Sequence, residues 1–245
     1  MLKPETSPLP RAETTGLAVD HIGVAVHDLA SEIAAWRGLG FAVSDPVALM
    51  GADAAGRQIP LGQSSAHAVF ENSYIELSSP VPGSGNHLEP YLAQGEGVRI
   101  IVLAAGDAEA AHAAVSAWLP ETPAVRSASR HVVIDGEART ARFRWFQLAA
   151  DIVPATLSAV VQHLTPELVF HASLAVHPNG ARRITRILAT GRAAELACSG
   201  LTFQPPLREA GAAPPYLELA ATPGPLAIRG FSVRNAAGED QHYRV

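Results

Sequence analysis

One cysteine in 245 residues, Cys198, excludes an intrachain disulfide framework and a cysteine-rich zinc site. Cys198 itself reads as a small buried apolar residue. Long apolar runs are missing too. The strongest, VRIIVLAA at 98–105, is far too short to span a bilayer. The opening stretch MLKPETSPLPRAETTG has prolines and polar residues where a signal peptide has an apolar middle. Residues 1–16 therefore read as a mobile leader, and the expected location is cytoplasmic with no membrane partner. Basic charge is also scarce. The formal net charge is −5, the pI is about 6.0, and the arginines are scattered, which excludes a nucleic-acid partner. No G-x-S-x-G, phosphate loop or dinucleotide fingerprint occurs.

What is present is a 48% hydrophobic chain, enough for a sizeable core, arranged in a repeating pattern. LAVDHIGVAV (17–26) predicts a strand, and Asp28 is placed to cap a helix over about 29–38 that exits at GLGF. Strands follow at about 40–49, 64–70 and 73–79. The order then returns. VRIIVLAAGD (98–107) is a strand that runs into the capping Asp107, and 108–118 is a helix. Strands at 126–134, 138–148 and 155–164 follow, with a tight turn at IDGE. A third, shorter copy is expected over 166–245, with a strand at 182–190, a helix at 191–198 and strands at LTFQ, PYLELA and AIRGFSVRN. The proline-rich breaks between copies are too short for linkers, so one compact body is expected. The fold class is α+β, with repeated βαβββ modules forming curved, mostly antiparallel sheets around a cavity.

Strand alternation singles out His21. Residues 19, 21, 23 and 25 share one face, and 20, 22, 24 and 26 share the bulkier face, which should pack under the helix. His21 then sits with Gly23 and Ala25, and small neighbours leave space around an imidazole. Glu76 in SYIELSS alternates away from Ile75 and Leu77, and a carboxylate there needs a partner or an opening to water.

The repeats, DHIGVAVHDL, GLGF and SYIEL together resemble the vicinal oxygen chelate superfamily. VVQHLTPELVF followed by HPNGARRI is similar to its glyoxalase-like branch. The resemblance covers about 17–190, with 17–165 as two modules that enclose a metal-containing cavity. It implies that the last strand of module one delivers Glu76 to a metal held by His21, so these side chains should approach within about 5 Å.

The second module offers Arg99 or Ile100 where His21 stands, and Gln162 or His163 opposite Glu76. A set of His21, Glu76 and His163 suits zinc, iron(II), nickel or manganese and leaves positions for water or substrate. Glu218 in YLELA is the alternative ligand if the third module closes the site. Arg99 and Arg183 are candidates for binding a substrate carboxylate. His67, beside the Glu76 strand, is expected on the substrate side of the same cavity. HPNG reads as a turn that leaves His177 structural. The expected function is a metal-dependent lyase or isomerase acting on a small oxygen-rich molecule, with Glu76 as a ligand or proton carrier. The alternatives are an iron(II) dioxygenase and a metal-free small-molecule binding protein. Exposed sheet edges would permit a homodimer.

Overall fold

The computed structural model describes residues 3–5, 13–53, 55–117, 119–148, 155–190, 216–220 and 227–244. Strand β1 (Lys3–Glu5) is followed by the first module: β2 (Glu13–Ala25), α1 (Leu29–Gly38), β3 (Val47–Ala52), β4 (Gln58–Val69) and β5 (Tyr74–Pro80). A short α2 (Glu89–Leu92) leads to the second: β6 (Gly97–Ala104), α3 (Ala108–Ser116), β7 (Arg126–Ile134), β8 (Glu137–Gln147) and β9 (Leu157–His163). Both modules have the same internal order, β2-β5-β4-β3 and β6-β9-β8-β7, with the first and last strands parallel. Antiparallel pairing of β2 with β6 and of β3 with β7 closes the eight strands on themselves. Eight strands enclose an interior just wide enough for side chains or one small ligand.

Local sequence explains much of this. Asp28 accepts from the Ser31 N–H at the start of α1, and Asp107 accepts from Glu109 and Ala110 at the start of α3. Such caps are each worth about 1 kcal/mol. Asp135 and Gly136 both take positive φ, 53° and 82°, which a two-residue hairpin between β7 and β8 requires. Alternation then divides two apolar layers. Ile22, Val24, Trp36, Phe41 and Phe231 pack outside the barrel, and Tyr74, Ile100, Val102, Phe143 and Val161 pack inside it.

The strand expected at 40–49 begins later, at Val47. Phe41 and Val43 are buried, which imitates a strand pattern. The backbone there bonds elsewhere: Ala42 N–H donates to His177 Nδ1, and Arg37 donates to the Val43 carbonyl. His177 also donates from Nε2 to the Val69 carbonyl at 2.9 Å, and Gly180 N–H closes the turn on the His177 carbonyl.

Past the barrel come α4 (Pro166–Val169), a 3-10 turn (Ala172–Ala175), β10 (Ala181–Thr190), β11 (Tyr216–Ala220), β12 (Ala227–Asn235) and β13 (Asp240–Arg244). Here β10 lies between an antiparallel β12 and a parallel β11, so the strand order of the first two modules is not repeated. The helix expected at 191–198, the LTFQ strand and Cys198 lie outside the described residues. This layer joins the barrel through β11, which pairs with the first half of β2. Residues 3–5 and 13–16, within the expected leader, are paired strands. Among the described residues no helix is long and apolar enough to cross a membrane.

Candidate active site in the barrel

Two register steps shape the interior. Along the β2–β6 ladder, Val19 faces Leu103 while His21 faces Val102, so two steps of β2 oppose one of β6 and Asp20 is the extra residue. A bulge of this kind turns neighbouring side chains to the same side. Val19 joins the outer apolar layer with Ile22, and Asp20 bonds inward. Alternation had put Asp20 under the helix and Val19 beside His21; the bulge reverses both. Further along, Gly23 faces Ile100 while Val24 faces Val98, which makes Arg99 the extra residue of β6.

The cavity is lined on one side by module one: His21, Gln63, His67, Tyr74 and Glu76. Gln63 and His67 alternate along β4, and His67 sits directly opposite Glu76 on β5. Module two supplies a mostly apolar wall that includes Ile100, Val102, Phe143, Ala159 and Val161, interrupted by Arg130 and Trp145.

His21 and Glu76 converge, with Nε2 3.7 Å from Oε2. Each is anchored through its other polar atom. His21 Nδ1 lies 2.8 Å from the Asp20 carboxylate. Glu76 Oε1 accepts from the Ser65 hydroxyl at 2.6 Å and from Gln63 Nε2 at 3.1 Å. Tyr74 stacks on the imidazole with ring centroids 4.0 Å apart, and its hydroxyl is 3.3 Å from Nε2. Burial alone would push the His21 pKa down, but its bonds to Asp20 and Glu76 outweigh that and raise it. Burial would raise Glu76, yet the bond and charge of His21, with His67 and Ser65, hold it well below the usual carboxylate range. His67 is pushed well down by burial and by the nearby Arg130 charge.

His163, expected as the third metal ligand, does not meet the other two at one point. Its Nε2 donates to Asp20 at 2.9 Å, so Asp20 stands between the imidazoles of His163 and His21. Opposite His21 on module two stands the apolar Val102, and Ile100 lies opposite Gly23, the residue beside Glu76. Among the described residues no three His, Cys, Asp or Glu side chains are grouped to hold a metal ion. The expected set of His21, Glu76 and His163 therefore does not fit a resident divalent metal.

Neither arginine proposed from the sequence reaches this cavity. Bulged out of the ladder, Arg99 donates to the backbone carbonyls of Gln94, Gly95 and Ala155. Arg183 stands on β10, opposite Arg234 of β12, and is not among the lining residues. Glu218 lies on β11, also outside the barrel wall. The cavity arginine is Arg130, on the buried face that Ala128, Val132 and Ile134 share. That alternation was readable in RSASRHVVI, as was the polar i, i+2, i+4 series Gln63, Ser65, His67.

A family model described as a glyoxalase-like domain matches residues 19–202. A hypothetical protein from Staphylococcus aureus is similar in structure over 91% of this chain and 97% of its own, at 12% identity and a TM-score of 0.54. That likeness is one of fold. A variant of the Streptomyces coelicolor methylmalonyl-CoA epimerase, in complex with 2-nitronate-propionyl-CoA, matches 59% of this chain and 96% of its own, at 22% identity and a TM-score of 0.40. The Mycobacterium tuberculosis methylmalonyl-CoA epimerase matches 63% and 91%, at 18% identity and a TM-score of 0.38. No curated protein matches the sequence.

Proposed function

The chain belongs to the glyoxalase-like domain family, and from that premise we propose that it is an enzyme moving a proton on a small oxygen-rich molecule, as lyase or isomerase chemistry requires. The observation that carries this reading is the facing pair of His21 Nε2 and Glu76 Oε2, 3.7 Å apart, each fixed by hydrogen bonds at its other end.

The steps follow from the two pKa directions. Glu76 Oε2 takes a proton from the carbon next to a substrate carbonyl, and the C–H electron pair moves into the new C=C bond. The imidazolium of His21 gives its Nε2 proton to the carbonyl oxygen. The product of this step is an enol, with Glu76 protonated and His21 neutral. Return of a proton to carbon, and of the hydroxyl proton to His21, completes an isomerisation; loss of a group from the adjacent carbon makes it a lyase. The depressed Glu76 is a weak base while it faces His21. Passing the Nε2 proton to the substrate carbonyl removes the positive charge that holds Glu76 down, so the carboxylate gains basicity as it takes the α-proton.

A second reading keeps the divalent metal expected from the sequence. It is favoured by Gln63 Oε1, a buried acceptor with no partner beside Glu76. Two measurements separate the readings. In D2O, a panel of 2-oxo acids and 2-hydroxy ketones is followed by proton NMR. At least one member should exchange its α-proton, and Glu76→Gln should slow that exchange by about 100-fold or more. Equal exchange in the variant would overturn the assignment. Elemental analysis after dialysis against a chelator should return no stoichiometric metal with exchange retained; one equivalent per chain, lost together with exchange, would favour the metal reading.

A further inference from the structure

Arg130 is a buried cation that feels the Glu76 and Asp20 carboxylates only at a distance. Its residue is 6% exposed, and Nη2 is buried without a hydrogen bond. Among the described residues no Asp or Glu forms an ion pair with it. Its neighbours are aromatic: Cζ lies 5.5 Å from the Tyr74 ring centre and 5.8 Å from that of Phe143. Aromatic faces attract a guanidinium but do not replace an anion, and burying an unpaired charge is costly. A second donor on the same wall, Trp145 Nε1, is likewise buried and unpartnered. Arg130 and Trp145 thus present two unpartnered N–H donors on an otherwise apolar wall of the cavity.

We propose that Arg130 receives the carboxylate of a short-chain monocarboxylate, with Trp145 donating to another oxygen of the same molecule. A guanidinium suits a planar carboxylate because its parallel N–H groups match two oxygens. Tyr74 fixes the scale. It touches Arg130 on one side of this relationship and stacks on His21 on the other, so a carboxylate at Arg130 leaves room for only a few carbons before the chain reaches His21 and Glu76. The apolar side chains Leu49, Leu157 and Val161 would enclose those carbons. This inference rests on the proton-transfer reading for what happens to the bound acid, but its binding step stands apart from that chemistry.

Calorimetry on the full chain tests it, with pyruvate and 2-oxobutyrate against their neutral amides. The acids should bind at least about tenfold more tightly than the amides, as a hydrogen-bonded charge pair requires. Arg130→Gln should abolish that preference, and Trp145→Phe should weaken it. If Arg130→Gln does not fold, Arg130→Lys supplies the readout: a point charge keeps part of the preference and loses the bidentate fraction. Equal binding of acids and amides, no binding of either, or a preference that survives in Arg130→Gln would each overturn the anion site. Acid binding that depends on Arg130, without α-proton exchange, would leave the site standing and sink the proton-transfer reading alone.

Discussion

Asp20 Oδ2 lies 2.9 Å from His163 Nε2, and both side chains are fully withdrawn from solvent. Their strands come from different modules, β2 and β9, so this contact ties the modules together across β6, which lies between the two strands in the barrel. The same carboxylate also holds His21. Asp20 is therefore at once a structural clamp and the group that orients the proposed proton donor.

Asp20→Ala should destabilise the protein by about 3–5 kcal/mol, because it leaves two buried imidazoles without their common acceptor. Urea unfolding measures this. The double variant Asp20→Ala with His163→Leu should lose clearly less than the sum of the two single changes. Additive losses would mean that the contact is not formed in solution.

Gly23 has no room for a side chain. A Cβ built there would lie 2.7 Å from Ile100 Cδ1 and 2.8 Å from Ile100 Cβ. Gly23→Ala should cost about 1–3 kcal/mol by overpacking. Combined with Ile100→Ala its cost should shrink, since Cδ1 is gone and only the Cβ contact remains. Additivity within about 0.5 kcal/mol would show that the strands separate freely at this point.

His21 and His67 should pull stability in opposite directions with pH. The folded pKa of His21 is raised, so its stabilising contribution is complete below 6.5 and fades as pH rises through the folded value. The folded pKa of His67 is depressed, so the unfolded chain takes up protons first and stability falls as pH drops below 6.5. In unfolding curves between about pH 5 and 9, His67→Gln should gain on the wild type toward the acid side. The deficit of His21→Gln should narrow toward the alkaline side. Gaps that stay constant with pH, or that move together, would contradict these directions.

The sequence made the periodic parts of the molecule readable. Helix starts at Asp28 and Asp107, the Asp135–Gly136 hairpin and the inward His21 and Glu76 all follow from local patterns that the fold keeps. What it concealed lies where the period breaks. The bulge at Asp20 changes the face of two residues without any mark in their identity, and a second bulge removes Arg99 from the cavity. Phe41 and Val43 copy a strand's alternation because they pack beside Trp36, while the backbone of 42–43 is bonded to the side chains of His177 and Arg37 rather than to a neighbouring strand. Arg130 is legible as a charge on an apolar face, but matching strands between modules points to Arg99 and Arg183 instead.

β2 runs unbroken from the outer sheet into the barrel wall, with Thr14 opposite Glu218 at one end and Ala25 opposite Ser78 at the other. During synthesis these two ends find their partners at very different moments. At roughly 5–20 residues per second, the lower half can pair as soon as β5 and β6 have left the ribosome, while the upper half waits roughly 10–40 s for β11. The barrel, with its cavity, can thus close before its first strand is completely paired. For that interval the nascent chain carries an open strand edge, the point at which a second unfinished chain or a chaperone would meet it.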